Sequence, residues 1–243
     1  MKNLKLGVLV IFGALALTSC KKDGLFCKKG NGTIVTEERT VSGFSEISLG
    51  LNADLIYTQS DEYSVTIEAS ENLMKYIETD LKGSVLDIDF KNGKCFNIKK
   101  SIAITISSPY MNRFKVSGSG SITSKRLLTT NELDVKVSGS GKMYLDSLNI
   151  NELNSVISGS GDITAASINE VTTQTVKISG SGSVDYLDMP TLSSHVKVSG
   201  SGNCDVNAIN SLNVNISGSG SVRYKGTPTI SSTVSGSGSI KVY

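Results

Sequence analysis

Asp185 and Asp205 stand 20 residues apart, and Arg223 follows 18 residues later. If the chain stacks those intervals, two carboxylates lie one layer apart with a guanidinium beyond them. Such a pair could act as acid and base across a glycosidic bond, or hold Ca²⁺, with Arg223 binding an acidic sugar. The plainer alternative is a solvated ladder in which Arg223 relieves repulsion between neighbouring aspartates, and it is preferred because ladder charges of this kind are usually structural. Other catalytic sets are incomplete. A Ser-His-Asp site would have to use His195, the single histidine of the sequence, which strand parity points outward. With no second histidine and no Cys-x-x-Cys pair, zinc has no ligand set. Gly118-Ser119-Gly120 lacks the third glycine of a dinucleotide loop, and no Gly-Lys-Ser/Thr follows any glycine run. We therefore assign no catalytic residue, no metal and no cofactor.

The elements that position these residues are set by a repeat. Ser-Gly-Ser-Gly occurs seven times, beginning at Ser117, Ser138, Ser158, Ser179, Ser199, Ser217 and Ser235. A unit of about 20 residues cannot bury a core alone, but stacked units share one, so the period predicts a solenoid. Aligned on the first serine, the preceding column is Val116, Val137, Ile157, Ile178, Val198, Ile216 and Val234, and the column five residues after it is Ile122, Met143, Ile163, Val184, Cys204, Val222 and Ile240. Both are apolar, as strands with one buried face require. Cys204 is thus expected to be a core filler rather than a reactive thiol. Three short strands per turn and no intervening helices point to an all-β, right-handed parallel β-helix. At ~4.8 Å per strand, seven coils would span roughly 30 Å. The motif is read either as a straight strand with both glycines inward or as a corner repeated in every coil.

Between the two apolar columns next to each motif lies a polar one: Lys115, Lys136, Val156, Lys177, Lys197, Asn215 and Thr233. Its four lysines form a basic stripe able to attract the anionic groups of lipopolysaccharide, capsule or host glycan. The simpler account is that lysines on strand faces keep stacked sheets soluble. Tyr144 is expected outward, where it could stack on sugars, and Tyr186 and Tyr224 inward.

The region 33–110 is less regular, with strands expected over 33–41, 53–58, 63–68, 85–90 and 102–106. Val41-Ser42-Gly43-Phe44-Ser45 reads as a degenerate copy of the motif, and Glu71 to Leu81 as an amphipathic helix through Leu73, Ile77 and Leu81. The regular part is 111–243, interrupted near its end by Gly226-Thr227-Pro228.

Residues 1–19 carry Lys2 and Lys5 and then an apolar run of 12 residues, Leu6 to Leu17, too short to span a bilayer and read as an export signal. Leu17-Thr18-Ser19-Cys20 resembles a bacterial lipobox, so Cys20 is the expected lipidation site and residues 20–32 a tether. Buried acyl methylenes contribute ~0.8 kcal/mol each, which anchors without spanning. Lys21 lacks the aspartate-type retention signal, so the outer membrane is the expected destination. Loss of Lys2 and Lys5 with the leader leaves 22 basic against 22 acidic side chains, and nucleic acid is not an expected partner. A Cys27–Cys95 disulfide is plausible in an oxidising periplasm.

The segments Gly43-Phe44-Ser45-Glu46-Ile47, Thr58-Gln59-Ser60-Asp61-Glu62-Tyr63 and Glu71-Asn72-Leu73, followed by the serial coils, resemble a Bacteroidetes lipoprotein family known as putative auto-transporter adhesin, head GIN domain. The resemblance covers about residues 34–243 and implies a β-helical exported domain. The expected function is a non-enzymatic, lipid-anchored adhesion or ligand-binding surface of the cell envelope, with a glycan or an envelope protein as partner. A carbohydrate-active enzyme using the Asp185/Asp205 region, and a scaffold or sensor, are the competing expectations.

Overall fold

The computed structural model describes residues 27–91, 96–98 and 101–243. Met1 to Ser19, Cys20 and Cys95 lie outside the described residues. The chain forms a β-solenoid of about six turns. Its repeats stack in parallel and in register: Ser138, Ser158, Ser179, Ser199, Ser217 and Ser235 pair in series along the axis. The solenoid has two broad flanks joined at the Ser-Gly-Ser-Gly segment. The first contains the strands Arg113–Val116, Glu132–Gly139, Glu152–Gly159 and Val171–Gly180, and the second contains Ser121–Ser124, Lys142–Asn149 and Asp162–Ser167. The third side is short. Leu128–Thr129 pairs there with Leu148 and Asn149, and farther along Ser183–Gly200 and Asn203–Gly218 run through it as bent strands with register shifts. Two principal strands and a brief third segment per turn thus replace the expected three short strands.

The motif is a corner. Gly159 has φ +131°, a left-handed conformation that side chains rarely adopt, and a Cβ there would sit 2.5 Å from the Gly139 carbonyl oxygen. Gly161 faces inward, where a Cβ would collide with the Gly141 carbonyl and with Val137 of the previous coil. In the six motifs from Ser138 onward the first glycine, at positive φ, makes the turn and the second lets adjacent coils approach, so the straight-strand reading with both glycines inward does not hold. Inside the corner the two apolar columns close on each other. Val116, Val137, Ile157, Ile178, Val198 and Ile216 are at most 1% exposed, and burial of each such side chain is worth about 1.5–3 kcal/mol. Cys204 is a fully buried free cysteine, and burial pushes its thiol well above the ordinary value.

At the N-terminal end the order in space departs from the order in sequence. Glu46–Leu49 and Ala53–Gln59 pair directly with Arg113–Val116 and Ser121–Ser124, although some fifty residues intervene. The later strands Val85–Phe90 and Ile102–Ser108 stack on their outer side. Antiparallel strands then close both flanks: Ile77–Lys82 beside Val85–Phe90, and Ser64–Ser70 with Ile34–Glu38 beside Ile102–Ser108.

Two local expectations are corrected here. The helix is a single turn, Glu71–Met74, and Ile77 to Leu81 belong to a strand in a tight hairpin through Gly83 (φ +65°), because pairing with Leu86 and Ile88 outweighs the fourfold apolar spacing. The degenerate motif is Gly50-Leu51-Asn52-Ala53 rather than Val41 to Ser45, since Leu49 and Asp54 align with Val116 and Ser121. The end of the segment read as a tether is fastened to the body: Lys28 donates to the Tyr76 hydroxyl at 2.7 Å, and Asn72 donates to the Lys29 carbonyl at 2.8 Å. Cys27 is disulfide-bonded.

Candidate functional site

The second flank carries the column Thr123, Tyr144, Thr164, Asp185, Asp205, Arg223 and Lys241, and each member pairs with the next in register. Asp185 and Asp205 are therefore neighbours on adjacent coils. Their surroundings differ. Asp205 is largely buried, and both its oxygens accept from Arg223: Nε donates to Oδ1 at 2.8 Å and the guanidinium NH2 to Oδ2. The Asp205 carboxylate beside it pushes the Arg223 guanidinium above its ordinary value, and Tyr243 lies under that guanidinium at 4.9 Å from the ring centroid. With both oxygens engaged by Arg223, the Asp205 carboxylate has its hydrogen-bonding positions occupied within the fold. Asp185 is exposed and accepts from the Leu187 amide at 3.3 Å. Among the described residues no cluster of three or more acidic, histidine or cysteine side chains is arranged to hold a metal. Of the two readings of this column, the geometry fits the charge ladder: Arg223 neutralises Asp205.

The first flank carries the lysine column. Ser48, Lys115 and Lys136 pair in series, then Val156, Lys177, Lys197, Asn215 and Thr233. Lys136, Lys177 and Lys197 are exposed and Lys115 is half-buried. None of the four is in an ion pair among the described residues. Beyond Ser48 the column continues to Asp87. Burial pushes the Asp87 carboxyl up, but bonds from Lys82 and Ser48 and the charges of Lys82 and Lys115 outweigh it and hold the group below its ordinary value. With coils ~4.8 Å apart, the cations make two adjacent pairs separated by the Val156 coil.

Beside the lysines runs a second outward column, Arg113, Asp134, Asn154, Thr175, His195 and Asn213, which the sequence reading did not single out except for His195. Arg113 bridges Glu46 at 2.6 Å and Asp134 at 2.7 Å, which ties the first three coils together. The outward parity of Arg113 was legible, but its partner Glu46 lies 67 residues away and is brought in only by the N-terminal rearrangement. His195 is exposed and lies 3.4 Å from the Ser193 hydroxyl. Tyr144 faces outward, Tyr224 packs partly against the core, and Tyr186 is fully buried with its hydroxyl 2.6 Å from that of Ser155. Ser155 is the polar member of the inward run Phe114, Val135, Ser155, Val176, Val196 and Val214, and it supplies that bond. An open groove of about 380 Å³ lies over the first flank between Arg113, Lys115, Asp134, Lys136, Asn154 and Val156.

Flat polar ladders around a continuous apolar interior define a β-solenoid. The chain belongs to the family described as putative auto-transporter adhesin, head GIN domain, whose model matches residues 43–228. Three crystal structures are similar to it over almost their whole lengths. A putative adhesin from Bacteroides fragilis is 26% identical with a TM-score of 0.80, covering 89% of this chain and 100% of the other. A putative lipid binding protein from Parabacteroides distasonis is 27% identical (TM-score 0.75; 89% and 99% covered), and a putative adhesin from the same species is 26% identical (TM-score 0.70; 88% and 99% covered). No relative is found among the curated proteins.

Proposed function

We propose that this protein is a non-enzymatic adhesion module of the cell envelope, anchored through a lipid on Cys20, that holds anionic glycans on its lysine flank. The observation that carries the reading is the column Lys115, Lys136, Lys177 and Lys197: four cations in line on a rigid sheet and without ion-pair partners among the described residues. Directly stacked like charges destabilise a ladder, so their presence without compensation is explained by an external anion. The stripe runs along the solenoid axis, the direction in which a linear acidic polysaccharide would lie. Membership of an adhesin family supports an envelope or surface setting.

The test is a glycan array probed with wild-type protein and with the Lys→Gln variant at all four positions. Binding to acidic polysaccharides that disappears in the variant supports the reading, and unchanged binding removes the stripe from consideration. The anchor is tested separately by metabolic labelling with a fatty acid, which should mark the wild-type chain and not Cys20→Ser.

A further inference from the structure

The free edges of the two flanks are defended unequally. At the N-terminal end the edge strands are Ile34–Glu38, with Glu37 and Glu38, and Ile77–Lys82, with Glu78, Asp80 and Lys82. The last strand of the second flank, Ser239–Val242, carries Lys241. Charges on an edge discourage pairing with another chain. The last strand of the first flank, Thr229–Gly236, has none. Among the described residues it pairs on one side only, with residues 211–218, and all eight of its residues are exposed. Ile230 and Val234 are 40% and 42% exposed, whereas Leu212 and Ile216, their counterparts one coil earlier, are at most 1% exposed. An uncharged eight-residue edge with two uncovered aliphatic side chains fits another strand.

The sequence of this strand says which one. Around Ser232 it reads outward in both directions as hydroxyl, aliphatic, hydroxyl: Ser231 and Thr233, then Ile230 and Val234, then Thr229 and Ser235. Chemical symmetry about a central residue is what an antiparallel pair of identical strands requires, because a two-fold axis sets each residue opposite its mirror position. We propose that the protein forms an isologous dimer through Thr229–Gly236, with Ser232 on the two-fold axis and Ile230 of each copy opposite Val234 of the other. The pairing satisfies the open row of backbone donors and acceptors and covers both aliphatic side chains. It extends the first flank as one sheet across two molecules, so the lysine columns of both copies face the same side. The inference stands on the edge strand alone and does not depend on what the lysines bind.

Oxidative cross-linking of the full-length chain in intact cells tests it. Opposed residues in an antiparallel pair have Cα atoms about 4.5–5.5 Å apart, within the disulfide range of about 4.4–6.8 Å. Ser232→Cys should give a disulfide-linked homodimer on a non-reducing gel. Neither Ser231→Cys nor Thr233→Cys should do so alone, but the two expressed together should link to each other. Val234→Lys, at an exposed edge position that tolerates a polar residue in the monomer, should abolish the Ser232→Cys dimer while leaving the melting curve in place. A monomeric Ser232→Cys chain overturns the proposal, as does equal cross-linking at all three positions or an adduct with a different protein. If Val234→Lys also lowers the melting temperature, the register pattern of the three cysteines decides.

Discussion

The two flanks are built from the same repeat and treat charge differently. On the second flank several ionic groups find partners within the fold: Arg223 clamps Asp205, Lys142 reaches Asp162 at 3.4 Å, and Asp54 accepts from the hydroxyls of Ser101 and Ser121. On the first flank the ion pairs gather near the N-terminal coils, at Arg113 with Glu46 and Asp134 and at Lys82 with Asp87, while Lys136, Lys177 and Lys197 have no ion-pair partner among the described residues. A ladder whose charges close on themselves needs nothing from outside. A ladder of like charges, at the same coil spacing, creates a field that an external polyanion relieves. The contrast separates what the repeat needs for its own stability from what it presents to a partner.

The corner that joins the flanks should be the most sensitive element. Gly161→Val would drive a side chain into Gly141 and Val137 of the coil below, and we expect a loss of about 3 kcal/mol or more by denaturant unfolding, against a change within about 0.5 kcal/mol for the exposed Ser160→Val. Equal effects at the two positions would break the account of the corner.

The flanks should then diverge on ligand binding. Four exposed ion pairs at about 0.5 kcal/mol each are worth about 2 kcal/mol, so the quadruple Lys→Gln change should weaken binding to an acidic polysaccharide about 30-fold, and Arg223→Gln should leave it unaltered. Stability should diverge in the opposite sense. Asp205→Ala removes the ion-pair partner of Arg223 and should lower stability, whereas Lys177→Gln, which relieves repulsion from Lys197, should be neutral or slightly stabilising.

The smallest effect is in acid. Bonds from Ser101 and Ser121 hold the Asp54 carboxyl below its ordinary value against a lesser upward push from burial. A depressed carboxylate adds stability above its unfolded pKa of about 3.9 and loses it as pH falls through the folded value. Asp54→Asn should therefore flatten the wild-type decline in stability below about pH 4, and an unchanged decline would remove the two serine bonds from the account.

The regular coils were legible because period and register coincide: one alignment on the first serine placed Asp185 beside Asp205, Cys204 in the core and the lysines in line. The N-terminal part was not, for a topological reason. Val85–Phe90 and Ile102–Ser108 stack outside Glu46–Leu49 and Ala53–Gln59, so neighbours in space are not neighbours in the repeat, and no spacing along the chain announces that Leu49 continues the column of Val116. Leu73, Ile77 and Leu81 misled because a fourfold apolar spacing over so few residues also suits a short turn followed by a strand, with Leu81 left 45% exposed. The Asp205–Arg223 clamp was readable as a pairing, but the engagement of both oxygens is revealed only by the side-chain geometry.

The division between the flanks is tested most directly by a lysine footprint. The protein is acetylated with and without a bound acidic polysaccharide, and each lysine is quantified by mass spectrometry. The account predicts protection of Lys115, Lys136, Lys177 and Lys197 with Lys142, Lys225 and Lys241 still modified. Protection of the second set instead, or of both sets equally, would contradict it.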